Sequence, residues 1–195
     1  WFMSLQHKSA SQAAKQGFIF GFGWFASGIS WVHVSIDQFG GLPLFVSLGL
    51  MLLLCLYLAL FPALSCYLTG KISAKLNNST NKPTFNLWLL PSFWILTEWL
   101  RSWVLTGFPW LSLGYSQIDS PLAAFAPVVG EVGITFILLT LSIGCYHVLV
   151  NQQRKINSII VLSILFTTAA LSQATWVEIT TETKRVAAVQ GNIEQ

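Results

Sequence analysis

The stretch LPLFVSLGLMLLLCLYLALFPALSCYL, residues 42–68, contains no charged side chain. A run longer than the roughly 20 apolar residues needed to cross a bilayer reads as a transmembrane helix, because a helix satisfies its own backbone hydrogen bonds in lipid. Working outward from it, residues 17–36, 85–105, 132–150 and 156–176 come close to that length or exceed it. The expected fold is a polytopic α-helical membrane protein with about five transmembrane helices.

Composition agrees. The chain is 54% hydrophobic and 9% charged, against about 25% charged in a soluble domain, and its mean hydropathy is +0.64. The net charge is +3, but the basic residues are scattered through short connections and form no cluster, which argues against a nucleic acid partner. Cys55, Cys66 and Cys145 lie inside apolar runs at spacings that match no metal site or small disulfide framework, so inert packing is expected of them. The first apolar segment is followed by further spans and by no small-residue cleavage pattern, so it reads as a retained helix. The start at Trp1 and the stop at Gln195, just after a β-like run, lead to the expectation of a fragment.

Charge also sets an expected orientation. Lys8 and Lys15 precede the first span, Lys71, Lys75 and Lys82 lie between the second and third, and Arg154 and Lys155 lie between the fourth and fifth, so all seven share one side. Short cytoplasmic loops are enriched in Lys and Arg, which makes the opposite side external. That side holds Asp37, Asp119, Glu131, Glu178, Glu182 and Glu194, with Lys184 and Arg185 as its loop cations. Trp31, Trp99, Trp103, Trp110, Tyr115 and Trp176 fall at the same end, as an interfacial aromatic belt would. The run RVAAVQGNI, residues 185–193, is too short for a span and reads as a strand entering a turn.

The stretch richest in chemistry is TEWLRSWVLTGFPWLSLGYSQ, residues 97–117, which puts two charges in a membrane helix and follows them with a Gly/Pro-broken loop. Glu98 and Arg101 are three residues apart, share a helix face and can neutralise one another; an unpaired charge at mid-helix would cost roughly 3 kcal/mol on insertion scales. With the span ending at residue 105, the Arg101 guanidinium lies roughly 6 Å below the boundary and can snorkel to the headgroups. Its bidentate geometry suits a phosphate or carboxylate, so a substrate clamp stands beside a purely structural ion pair. Gly107, Pro109 and Gly114 place Phe108, Trp110 and Tyr115 on an interfacial loop that can hold acyl chains or simply anchor. Asp119 and Glu131 read as solvated or capping carboxylates, and His33, beside Trp31 and Asp37, as a base or, with no partner evident and so in preference, as a packing residue that satisfies a neighbouring carbonyl. No nucleophile triad, zinc spacing or phosphate-binding glycine loop can be assembled.

GFGWFASGISWVHVSI (residues 21–36), the 97–117 block with the following IDSPLAAFAPVVG, and RVAAVQGNI resemble, in order and spacing, the apolipoprotein N-acyltransferase family. The resemblance implies a bacterial inner-membrane protein whose helices carry a periplasmic nitrilase-like α/β domain. It implies transfer of an acyl chain from a phospholipid donor to the α-amino group of the diacylglyceryl-cysteine of an apolipoprotein acceptor, with no cofactor. The chemistry it implies is ping-pong through a cysteine thioester, with a glutamate base and a lysine at the oxyanion. Those three residues would lie beyond Gln195, leaving the stretch 1–195 inactive alone. Residues 1–178 would then be the transmembrane domain and 179–195 the opening strand of the nitrilase-like domain. The membrane-side positions that match are Arg101 near the lipid headgroup and Phe108 and Trp110 facing acyl-chain entry, with Glu98 in support. A transporter or channel is the alternative that intramembrane charges and a broken loop would suggest.

Overall fold

The computed structural model describes residues 1–6, 8–76, 85–177 and 187–188. After a single turn, α1 (Phe2–Leu5), the chain enters α2 (Ala10–Gly28) through a capping box: Ser9 Oγ accepts from the Gln12 amide while the Gln12 side chain accepts from the Ser9 amide. Helix α3 (Val32–Gly40) follows after a bend of 52°. Helix α4 (Leu44–Leu76) is 33 residues long, roughly 50 Å at 1.5 Å per residue and longer than a bilayer's ~30 Å hydrocarbon core. Helix α5 (Leu90–Arg101), α6 (Ala126–Leu149) and α7 (Arg154–Leu171) complete the set. Three helical stretches are long and apolar enough to cross a membrane, four if α2 and α3 count as one bent span.

Several expected boundaries move. The first span, 17–36, begins seven residues earlier, at Ala10, and is broken at 29–31, so Asp37 sits on a helix rather than in a loop. The second runs on to Leu76, which puts Lys71 and Lys75 on α4 beyond its apolar stretch. The third, 85–105, yields 12 residues of α-helix preceded by a 3₁₀ turn at Leu87–Leu89. It ends at Arg101 because the backbone leaves helical geometry at Trp103, with φ of −141° and ψ of −16°, and continues into Leu105 and Thr106 at φ of 51° and 74°, which a right-handed helix cannot contain. The fourth starts at Ala126 but is interrupted at Gly130, whose φ of 65° and ψ of −172° leave Glu131 at the head of its regular part. The strand expected at 185–193 and the domain start at 179–195 lie outside the described residues, save the exposed Ala187 and Ala188.

Small residues bring α2 and α4 together. A Cβ placed on Gly17 would lie 2.5 Å from the Pro62 carbonyl oxygen, and one on Gly21 would lie 2.9 Å from the Pro62 ring. Close backbone approach is how helices gain packing energy in lipid, where no hydrophobic effect drives them together. A large side chain has no room here, so Gly17→Leu is expected to separate α2 from α4 and lower the midpoint of thermal unfolding in detergent, read by circular dichroism; an unchanged midpoint would show that the two helices do not depend on this contact.

The cores divide by end. Leu5, Ala13, Cys66, Phe85, Leu87, Leu90 and Ile143 pack at one end of the bundle, where Lys8, Lys71, Lys75, Arg154 and Lys155 lie at neighbouring chain positions. Phe25, Ile29, Met51, Cys55 and Leu58 pack at the other, joined by half-buried Phe108 and Leu111 from the connection after α5. Leu122, Phe125 and Ile134 join α6 to α7.

Candidate functional site

Helix α5 is too short to cross a bilayer: with its 3₁₀ turn it makes roughly 22 Å, against a ~30 Å core. The connection that follows therefore sinks into the bundle and packs on Phe25 and Cys55. Irregular backbone at such depth persists only where protein groups replace water as hydrogen-bond partners, and here several of the replacements can be named.

Arg101 supplies the largest share. Its Nη1 donates to the Phe108 carbonyl at 2.7 Å and to the Trp110 carbonyl at 2.6 Å. Nη2 stands 3.5 Å from Glu98 Oε1, and the guanidinium lies over the Phe25 ring, 5.4 Å from its centroid. The return contact is the Phe108 amide donating to the Arg101 carbonyl at 2.9 Å. The Val104 carbonyl accepts from the Tyr57 hydroxyl at 3.1 Å and the Leu111 carbonyl from Trp24 Nε1 at 3.4 Å.

Carboxylates hold the amide side. Glu98 Oε1 accepts from the Leu113 amide at 3.2 Å. The Gly114 amide donates to Thr135 Oγ1 at 2.9 Å, and Thr135 donates on to Glu131 Oε1 at 3.2 Å. Ser112 Oγ also donates to Glu131 Oε1. Glu98 Oε2 is buried without a partner among the described residues, beside a void of about 20 Å³ between α2, α4 and α5.

The loop so held is strained. Leu105, Thr106 and Leu111 have φ of 51°, 74° and 60°, conformations that cost a non-glycine residue on the order of 1 kcal/mol or more and survive only where surrounding contacts enforce them. Gly107, with φ of 82°, is required twice over, since a Cβ there would fall 2.0 Å from the Ser102 carbonyl oxygen.

The four residues singled out from the sequence meet at this one place, in different roles. Arg101 is 3% exposed and turned into the loop carbonyls, so it does not snorkel. The expected snorkelling assumed a helix running to residue 105, whereas Arg101 is the last helical residue and the chain folds back over it. Glu98 is its buried partner. Phe108 packs inward with its ring 4.9 Å from that of Trp110, which is 58% exposed. Trp99, Trp103, Tyr115, Trp31 and Trp176 are exposed as well, as a belt requires.

Elsewhere, His33 Nδ1 pairs with the Ser30 carbonyl, the local role expected of it, and Asp119 is exposed. Cys55 and Cys66 are buried and Cys145 is exposed. No metal-binding group of His, Cys, Asp or Glu occurs among the described residues. The participants that sequence reasoning passed over are Glu131, Ser112, Thr135, Trp24 and Tyr57. For Glu131 the signal was its place immediately after Gly130, the residue that breaks α6; the other four carry no signal of their own.

Comparison with known proteins identifies the family of the chain. A family model described as the apolipoprotein N-acyltransferase N-terminal domain matches residues 1–144. The apolipoprotein N-acyltransferase of Vibrio cholerae is 48% identical over 98% of this chain and 37% of its own length. That of Shewanella oneidensis is 47% identical over 90% of this chain and 33% of its own, and that of Vibrio vulnificus 45% over 96% and 36%. The chain thus spans about a third of the length of these curated relatives.

Proposed function

The chain belongs to the apolipoprotein N-acyltransferase family, and from that premise we propose that it forms the membrane part of an enzyme moving a fatty acyl chain from a phospholipid to the N-terminal amino group of S-diacylglyceryl-cysteine in apolipoproteins. Family membership favours this over a transporter or channel. In the proposed arrangement residues 1–178 cross the bacterial inner membrane and 179–195 open a nitrilase-like domain on the periplasmic side. That domain brings the glutamate, lysine and cysteine of the thioester mechanism, so residues 1–195 alone do not turn over. Of the five crossings expected, α2 with α3 makes one bent span, and α5 makes one that its loop completes.

The observation that carries the reading is the buried Glu98–Arg101 pair, which spends its hydrogen bonds on the loop that displays Trp110. Arg101 and Glu98 are positioning residues, Phe108 packs the inner face of the loop, and Trp110 meets the acyl chain. Holding a surface in place before substrate arrives is worth more to transfer than binding alone, because a misplacement of ~1 Å can cost about 100-fold in rate.

The test is transfer from a labelled phospholipid to a diacylglyceryl-cysteine peptide by the full-length protein in vesicles. Trp110→Ala is expected to raise the phospholipid concentration at half-maximal rate by about tenfold, the effect of losing one aromatic contact worth roughly 1.5 kcal/mol, with membrane insertion unchanged. Wild-type kinetics in that variant would remove Trp110 from the substrate's path.

A further inference from the structure

At the basic end of the bundle, away from the loop of α5, lies a cavity of about 470 Å³. Its polar lining includes Ser73, Asn86, His147, Gln152, Gln153 and Asn157, and Trp88 forms part of its apolar wall. Three of these are buried to more than nine-tenths: Ser73, His147 and Asn157. An apolar bundle gains nothing from burying such groups unless they are paired. Some are: Ser73 Oγ accepts from the Asn86 amide at 2.9 Å, and Asn157 Nδ2 donates to the Gln152 carbonyl at 2.7 Å. These bonds fix the lining. His147 lines the cavity and is stacked on Trp88 with centroids 5.7 Å apart. The site thus combines an amide-rich wall with a stacked aromatic pair.

Among the described residues the lining carries no charge, and cations lie at neighbouring chain positions. Arg154 directly follows Gln153, which lines both this cavity and a neighbouring depression shared with Arg154 and Lys155, and Lys75 directly precedes the lining residue Leu76. Arg154, Lys155 and Lys75 are all exposed. Neutral donors and acceptors inside match the hydroxyls of a polyol, and cations outside match the phosphate that bears it. In a membrane the molecule that carries these groups in this order, at this depth, is a phospholipid with a hydroxylated anionic headgroup.

We propose that this cavity is a phospholipid site, distinct from the acyl-transfer surface, in which the lining amides take the polyol of a phosphatidylglycerol-type headgroup against the Trp88–His147 wall while Arg154 and Lys155 hold its phosphate. The site lies at the opposite end of the bundle from Arg101 and Trp110, so its lipid is a bound component rather than the acyl donor.

A local readout separates the two. In full-length protein with ¹³C-labelled histidine, in detergent micelles, the His147 ring signal is identified by its loss in His147→Gln. Phosphatidylglycerol is expected to shift that signal saturably, phosphatidylcholine to do so more weakly, and inorganic phosphate not at all. Arg154→Ala combined with Lys155→Ala, two surface changes that leave the packing untouched, is expected to weaken the phosphatidylglycerol response by about tenfold or more, as the loss of two cations beside an anionic lipid predicts. No response to phosphatidylglycerol, an equal response to phosphatidylcholine, or an unchanged response in the double variant would overturn the proposal. An equal response to inorganic phosphate would overturn the assignment to a lipid. None of these outcomes depends on acyl transfer, so they leave the proposed function to its own test.

Discussion

Acyl transfer by the full-length enzyme is expected to fall by about 100-fold in Arg101→Ala, the order of effect that a loop displaced by ~1 Å produces, with insertion into the membrane preserved. The change removes both donors that hold the Phe108 and Trp110 carbonyls and leaves the Glu98 carboxylate buried without its cation. Breaking a buried pair on one side is generally worth roughly 3–5 kcal/mol, although lipid-embedded polar contacts measure lower, about 1–2 kcal/mol. Arg101→Lys should recover only part of the loss. An ammonium cannot span two carbonyls from one nitrogen while a second nitrogen faces the carboxylate. Equal rates for wild type and both variants, measured alongside protease protection to report insertion, would show that the loop does not depend on this side chain.

Gly114→Ala is the second large effect expected. A Cβ at Gly114 would lie 2.3 Å from the Glu131 carbonyl oxygen, on the backbone of α6, and backbone cannot give way as a flexible side chain can. The loop would have to lift from α6, breaking the Gly114–Thr135 hydrogen bond and disturbing those of Ser112 and Leu113. Overpacking of this kind costs roughly 1–3 kcal/mol. The expected result is transfer reduced by at least tenfold with the helices folded, the two read by turnover and by circular dichroism of the same preparation. Ala tolerated at wild-type rate would mean the loop is free to stand off α6.

How much of this was legible beforehand follows from which forces leave a mark in sequence. Apolar length is read directly, so α4, α6 and α7 were recognisable as membrane helices from 42–68, 132–150 and 156–176. Ends were harder, because apolar residues continue through positions where the backbone leaves the helix. Leu105 looks like a span residue, yet it takes positive φ, in a connection held by Arg101, Tyr57 and Trp24 from elsewhere in the fold. The bend between α2 and α3 is similarly silent, since 21–36 is apolar on both sides of it. At the site, Glu98 and Arg101 were visible as charges in an apolar helix and Phe108 and Trp110 as aromatics beside Gly and Pro. The direction of the guanidinium was not visible, because it depends on where the chain returns. Glu131 read as an ordinary capping carboxylate, and only the fold of residues 107–114 brings Ser112 to it.

The measurement that bears most directly on the account is photo-crosslinking from the end of a phospholipid acyl chain in vesicles holding the full-length enzyme, with labelled residues located by peptide mass spectrometry. Label is expected to concentrate on residues 103–115, with Trp110 foremost, and to disperse in Arg101→Ala. Label spread evenly over the exposed faces of α4 and α7, and unchanged in that variant, would contradict it.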